Sequence, residues 1–289
     1  MGDRHDIASP DAHEIRRVAV IYNPRVPATL PVADEIIAWL ERRGCCAIRY
    51  SRDDDTRGCP PFDLMITLGG DGAILRATQQ AAPTGTPILG INMGRVGFLT
   101  ETAPADWPAT LDRILAGEGW VETRMMLRAT LFRAGQSIAQ EHALNDAVIS
   151  RGALARTVQL KTFVDGAELT RYVADALILA TPTGSTAYAY AIGGPILPPW
   201  LDNILVIPAA PHLSLERPLV LNADAVIEVE VSTEVPGMLT VDGRMEGEVH
   251  HGDLVRIERS PLKARFLRLR RRNDFYRTLV ARLMPRNGE

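Results

Sequence analysis

The period of apolar residues changes once along the chain, and the change divides it. Up to about residue 122, short continuous apolar runs alternate with stretches in which apolar residues return every three or four positions. Val18-Ala19-Val20-Ile21-Tyr22 is a β-branched run closed by Asn23-Pro24, which predicts a buried strand ending in a turn. Val32, Ile36, Trp39 and Leu40 then recur at helical spacing before Gly44, predicting a helix over 31–43. A strand over 46–50 follows, then an unbroken apolar run over 63–68, which predicts a strand buried on both faces. Helices over 73–81 and 105–116, with a strand over 87–92 between them, complete an α/β pattern.

From about Val121 the period drops to two. Arg128-Ala129-Thr130-Leu131-Phe132-Arg133 alternates, as does 157–164, and Asp165-Gly166 is a hairpin turn signal before Leu169-Thr170-Arg171-Tyr172. Further short strands are predicted over 204–208, 219–221, 226–231, 239–241, 254–258 and 264–269. Repeated short strands separated by turn residues predict an all-β, sandwich-like second domain. The segment 273–283 reads as an amphipathic helix capped by Asn273 or Asp274. The expected domains are thus a loose leader over 1–16, an α/β domain over 17–122 and a β-rich domain over 123–270, with the helical end over 271–289.

Composition narrows the class of protein. Of 289 residues, 46% are apolar and 23% charged, which fits a globular chain and argues against disorder or a membrane span. The net charge of −3 gives no electrostatic case for nucleic acid or an anionic membrane as partner. Cys45, Cys46 and Cys59 form neither a disulfide framework nor a zinc spacing, and the first fifteen residues lack a signal-peptide core, so a reducing cytoplasm is expected. Arg265, Arg268, Arg270, Arg271 and Arg272 collect near the end and read as a solvated strand edge or helix start.

Candidate chemistry begins where the central apolar run stops, in Gly69-Gly70-Asp71-Gly72. Ligands of α/β sheets bind beyond the carboxyl ends of strands, where glycines let backbone N–H groups meet anionic oxygens. A carboxylate there repels phosphate unless it orients a hydroxyl, accepts its proton or meets a metal ion, so Asp71 points to phosphoryl transfer. Turn punctuation alone also produces Gly-Asp-Gly. Other catalytic signatures are missing: no G-x-x-x-x-G-K-[ST], no G-x-G-x-x-G, no HExxH and no paired CxxC, so no dedicated metal site is expected. The aspartates 53–55 read as a solvated loop, and Gly184-Ser185 lacks the flanks of a nucleophile elbow. In the β half, an apolar run over 175–180 leads into Thr181-Pro182-Thr183-Gly184-Ser185-Thr186-Ala187-Tyr188, whose hydroxyls, amides and aromatic ring suit a nucleotide or, equally, a capped helix with a packed tyrosine.

Together the Gly-Gly-Asp-Gly loop, the segment 92–101, Leu144-Asn145-Asp146 and the Thr-Pro segment resemble the NAD kinase family in motif and order. Pro208-Ala209-Ala210-Pro211-His212-Leu213-Ser214, Arg217-Pro218 and Val241-Asp242-Gly243 are similar to its later motifs, so the resemblance spans about 18–279. It implies an α/β domain followed by a β domain, with the last helix returning to the first. The implied activity is transfer of a phosphoryl group from ATP or polyphosphate to the adenosine 2′-hydroxyl of NAD, giving NADP with the help of Mg²⁺. By the same resemblance Asp71 is the general base within Gly69, Gly70 and Gly72. Asn145, Asp146, Asp175, Thr186, Ala187 and Tyr188 meet NAD; Arg76, Arg156 and Ala210 fall at further ligand positions. A dimer or tetramer built through the β domain is implied as well. Ala73, Ala176 and Arg244 depart from the family's usual threonine, glycine and glutamine, which implies altered affinity or donor preference. Lipid and sugar kinases share a loop of this type, and a non-catalytic NAD(H) or NADP(H) sensor is the alternative outside enzymes.

Overall fold

The structure, a computed structural model, describes residues 15–94, 97–152, 157–212 and 215–283. It divides into two compact units: one takes the chain up to Thr123 and again from Ala264, the other is Arg124–Lys263.

In the first unit β1 (Arg17–Tyr22), β2 (Cys46–Ser51), β3 (Leu64–Leu68) and β4 (Ile88–Ile91) form a parallel sheet in the order β2-β1-β3-β4. Every residue of β3 and of β4 is buried, the consequence of cover on both faces. Helices α1 (Thr29–Glu41), α2 (Asp71–Ala81) and α3 (Trp107–Leu115) connect and follow the strands. Ile36 and Leu40 of α1 and Leu111 of α3 pack with β1, β3 and β4 in one core. Strand order reverses between β1 and β3, and the glycine turn follows β3 at that switch point, where α/β sheets bind ligands. The expected helix over 73–81 starts two residues earlier. Gly72 is a poor helix former and hides the start, but Asp71 in the first turn is favoured by the positive end of the helix dipole.

The second unit is built from β5 (Trp120–Arg133), which enters it from the first, then β6 (Gln136–Ala143), β7 (Asp146–Ser150), β8 (Val158–Val164), β9 (Ala167–Ala174) and β10 (Ala176–Ala180). After a short helix α4 (Tyr188–Ala191) come β11 (Asn203–Ala209), β12 (Leu219–Asn222), β13 (Ile227–Ser232), β14 (Gly237–Val241), β15 (Arg244–Val249) and β16 (Leu254–Arg268). The order β12-β11-β10-β7-β14-β15 makes one antiparallel sheet. Residues of this sheet such as Ile149, Leu177, Leu179 and Val206 share a core with Leu127, Leu160, Val229 and Val255 of the other strands, so the unit is a β-sandwich. On the outer face Ala176, Ile178 and Ala180 pack against Ala189 of α4, which explains why β10 is apolar throughout. The Asp165-Gly166 hairpin forms as expected, with both residues at positive φ.

Two expectations about the chain's end need correction. The strands over 254–258 and 264–269 are one strand, β16, whose pairing with β13 stops at Ile257 and whose last part lies parallel to β4 at Phe266. The second unit therefore ends at Lys263 rather than after residue 270. The terminal helix α5 (Asp274–Leu283) belongs to the first unit.

Candidate active site

In the first unit the geometry centres on Asp71. Gly70 is the extended residue before α2, so Asp71 and Gly72 open the helix, where the first amides have no partner within the helix and favour an anion. Gly69 sits at φ +153, and a Cβ there would stand 2.7 Å from the Cβ of buried Ala73, so the turn closes only over a glycine. Ala73 thus has a packing role.

The Asp71 side chain is partly exposed yet fixed in orientation. Its Oδ2 accepts the Phe98 N–H at 2.9 Å, its Oδ1 accepts the Leu99 N–H at 3.0 Å, and Arg282 Nη1 of α5 stands 3.3 Å from Oδ2. Gly97 makes room, since a Cβ there would lie 2.0 Å from Oδ1. The loop supplying these amides is tied in turn to β16: Arg268 Nη1 donates to the Leu99 carbonyl at 2.8 Å and to Glu101 at 3.2 Å, and Arg268 Nε donates to Glu122 at 2.8 Å. Glu101 also accepts from the backbone N–H groups of Leu269 and Arg270, both at 2.9 Å. Arg268 is buried, which corrects its reading as part of a solvated basic edge. Burial pushes its pKa down, but Glu122 and Glu101 outweigh that and leave it above the ordinary arginine value.

In the second unit Asn145 and Asp146 turn into β7 against the Thr-Pro segment. Thr181 N–H donates to the Asn145 carbonyl at 2.8 Å and Thr181 Oγ1 to the Leu144 carbonyl at 2.5 Å. A Cβ on Gly184 would come within 2.0 Å of the Asn145 carbonyl oxygen, so the segment packs backbone to backbone. Ser185 Oγ donates to the Pro182 carbonyl and accepts the Leu197 N–H, and Thr186 Oγ1 donates to the Thr183 carbonyl, so these hydroxyls shape the turn. Tyr188 opens α4 and is 45% exposed, leaving its ring face available.

Asp242 organises this turn. Its carboxylate accepts the N–H groups of Leu144, Asn145 and Asp146 at 2.9, 2.7 and 3.3 Å, and it sits with Gly243 in a two-residue positive-φ turn between β14 and β15. Asp146 is 5% exposed, and burial first, then the Asp242 charge, raise its carboxyl to about 7. The folded state holds this proton up to about pH 7, while the unfolded chain releases it near the ordinary 3.8. Stability from this group is therefore present at low pH and falls as pH rises across that window, by a loss of roughly 4 kcal/mol. Asp146→Asn should flatten the pH dependence of chemical-denaturation stability between about pH 4 and 7. An unchanged slope in the variant would show that another group titrates.

Not all expected site residues meet. Gly69, Gly70, Asp71 and Gly72 are contiguous, but Arg76 lies five positions along α2 and pairs with Asp53 at 2.7 Å. Asn145, Asp146, Thr186, Ala187 and Tyr188 lie at one end of β10. Asp175 immediately precedes the same strand at its other end, on the order of 16 Å away at strand rise. There its carboxylate pairs with Arg151 at 2.8 Å and its N–H donates to the Ala209 carbonyl, beside exposed Ala210 at φ +47. Arg156, Arg95 and Val96 lie outside the described residues. The sequence gives no role of their own to Phe98 and Leu99, which stand only within the 92–101 motif, reads Arg268 as solvated, and does not single out Arg151 or Arg282. Phe98 and Leu99 act through backbone N–H groups and carry no side-chain signal. Among the described residues no group of three or more His, Cys, Asp or Glu could hold a metal ion, and no helix is long and apolar enough to cross a membrane.

A fixed carboxylate in a glycine turn at the start of a helix, on an α/β unit, is the equipment of a phosphotransferase acting on an alcohol. The comparisons agree. Models of the ATP-NAD kinase N-terminal and C-terminal domains match residues 51–119 and 144–269. The chain is 41% identical over 272 residues to the NAD kinase of Chloroflexus aurantiacus, covering 93% of this chain and 99% of the relative. It is 37% identical over 283 residues to that of Geotalea daltonii, covering 93% and 98%. Among solved structures it is similar to yeast NADH kinase complexed with NADH, with a TM-score of 0.85 at 27% identity over 96% of this chain and 90% of the other. It is similar as well to an NAD kinase from Archaeoglobus fulgidus in complex with ATP, with a TM-score of 0.74 at 28% identity over 92% and 97%. The chain belongs to the NAD kinase family.

Proposed function

We propose that this protein phosphorylates NAD to NADP, moving the terminal phosphoryl group of ATP or polyphosphate to the adenosine 2′-hydroxyl. The observation that carries the reading is the Asp71 carboxylate, pinned by the Phe98 and Leu99 amides beside the glycine turn. A ribose hydroxyl is a weak nucleophile near neutrality. Asp71 would orient it and take its proton as the new O–P bond forms and the old P–O bond breaks, the electron pair leaving with ADP or the shortened polyphosphate. The amides of Gly70 and Gly72 would face the phosphoryl oxygens and stabilise their charge.

Mg²⁺ fits this arrangement only as a cation carried by phosphate. It keeps several waters and binds mainly through phosphate oxygens, so the glycine amides that fix the phosphates would hold it indirectly. Its contribution when bound is to neutralise phosphate charge. Asn145, Asp146, Thr186, Ala187 and Tyr188 would hold the dinucleotide, with Asp175 and Ala210 at a separate contact. Arg76 and Arg156 are assigned as ligand contacts on resemblance alone. The cytoplasm is the proposed compartment. A dimer or tetramer paired through strands of the β unit is the proposed assembly, readable by light scattering.

The test is NADP formation by the purified protein from NAD and Mg²⁺, with ATP and polyphosphate in separate reactions. Product is read by a dehydrogenase that accepts only NADP. Product with either donor is the expected result and names the donor. NAD binding without product from either would replace the enzyme with a dinucleotide sensor.

A further inference from the structure

Among the described residues the amides of Phe98 and Leu99 are two of the three groups that meet the Asp71 carboxylate. The third comes from the far end of the chain. Arg282 is 211 residues away in sequence, on α5, and its Nη1 reaches Oδ2 at 3.3 Å. Its guanidinium also lies over the Phe98 ring, 4.7 Å from the centroid, and the Phe275 ring is 6.4 Å from that of Phe98. Phe275 and Arg282 are seven residues apart, two helical turns, and so share one face of α5. That face is thus set against both the loop that holds the carboxylate and the carboxylate itself.

The three donors are unequally divided. Among the described residues Oδ2 accepts two, from Phe98 N–H and Arg282, while Oδ1 accepts one, from Leu99 N–H. A carboxylate oxygen accepts about two in-plane hydrogen bonds, so Oδ2 is filled, while Oδ1, beside Gly97 where the missing Cβ leaves space, has taken one. A charged donor on one oxygen also holds the plane of the group against rotation more firmly than a neutral amide can. We infer that Arg282 is a positioning residue for Asp71: by occupying Oδ2 from α5 it leaves Oδ1 as the atom that receives the hydroxyl proton. The opposite role, an arginine that masks the base until α5 moves, would require it to block the open atom, and it touches only Oδ2.

This rests on the proposed kinase reading, and the experiment separates the two. Arg282→Ala is expected to lower kcat for NADP formation by about tenfold with KM for NAD within about twofold, because aim and not affinity is lost. Arg282→Lys, which keeps the charge at similar reach, is expected to recover most of that loss. In the Asp71→Asn background, Arg282→Ala is expected to change the residual rate by less than about twofold, since its effect passes through the carboxylate. Hydrogen exchange at the Phe98 and Leu99 amides supplies a readout that does not depend on turnover, and it should quicken in Arg282→Ala and slow again in Arg282→Lys. A raised kcat would make Arg282 a mask. An equal loss in both backgrounds would make it a structural residue, and unchanged kcat or unchanged amide exchange would overturn the inference. A wild-type protein that makes no NADP would instead remove the kinase reading, and the amide exchange would still decide whether Arg282 orders the carboxylate's cradle.

Discussion

Asp71→Asn should fold and lose at least about 10²-fold in the rate of NADP formation, the scale of a lost general base. The substitution keeps the size of the side chain but changes what it offers. An amide has one acceptor oxygen, so only one of the Phe98 and Leu99 N–H groups can keep its bond. The other then faces an NH₂ and costs about 1–3 kcal/mol of local stability. The Arg282 guanidinium loses its charged partner at the same time, although at one-third exposure water replaces much of that interaction. Nothing in this list unfolds the first unit, whose core of β1, β3, β4, α1 and α3 is untouched. The check is turnover beside a thermal melt and NAD binding by calorimetry. Wild-type turnover in the folded variant would take the proton-accepting role away from Asp71.

The same residue shows how far the sequence carries. An apolar run stopped by Gly-Gly-Asp-Gly is visible because strand burial and turn chemistry both leave marks in residue type, and β3 and the turn form where those marks stand. The expected start of α2 lies two residues late because Gly72 reads as turn while its position relative to the dipole reads as helix. The groups that fix the carboxylate were not legible. Phe98 and Leu99 contribute backbone hydrogens, which every residue but proline has, and Arg282 becomes a partner only through folding.

Strands β6, β7 and β15 are absent from the expected set, β6 and β15 for a related reason. Both expose much of their length, so the apolar alternation that marks a half-buried strand is weak, and only their pairing with β5 and β14 identifies them. Asp242 was visible as part of a motif, and the Asp-Gly pair signals its turn. Its three amide bonds to the Asn145 turn depend on β14 lying beside β7, a long-range fact. Within the basic cluster near the end Arg265, Arg271 and Arg272 are exposed as expected, and Arg268 alone is buried: charge on a strand suggests solvent unless the acids that will meet it are known. Those acids lie 146 and 167 residues away in sequence from Arg268.

Arg268→Leu should therefore be the most damaging single change outside the proposed catalytic group, at about 3–5 kcal/mol of stability. The side chain is 5% exposed and shares its site with Glu101 and Glu122, whose side chains are 2% and 10% exposed. Glu101 would keep Arg270 and two backbone N–H groups, while Glu122 would lose the bond it accepts from Arg268 Nε. The intact cluster adds little net stability for its size, because Arg268 Nη2 is buried with no hydrogen-bond partner among the described residues and three charges have been taken out of water. Breaking it is what costs. Arg268→Leu combined with Glu122→Gln should accordingly recover part of the loss, which urea unfolding of the two variants and the wild type would read. The effect should also reach turnover, because the Leu99 carbonyl would lose its bond to Nη1 while the Leu99 N–H holds Asp71 Oδ1. Arg268→Leu would then lower kcat in protein that is still folded, and Glu122→Gln would return stability without returning that kcat. Full stability in Arg268→Leu would mean that water reaches Glu122 and that the cluster is not the anchor of the 97–101 loop.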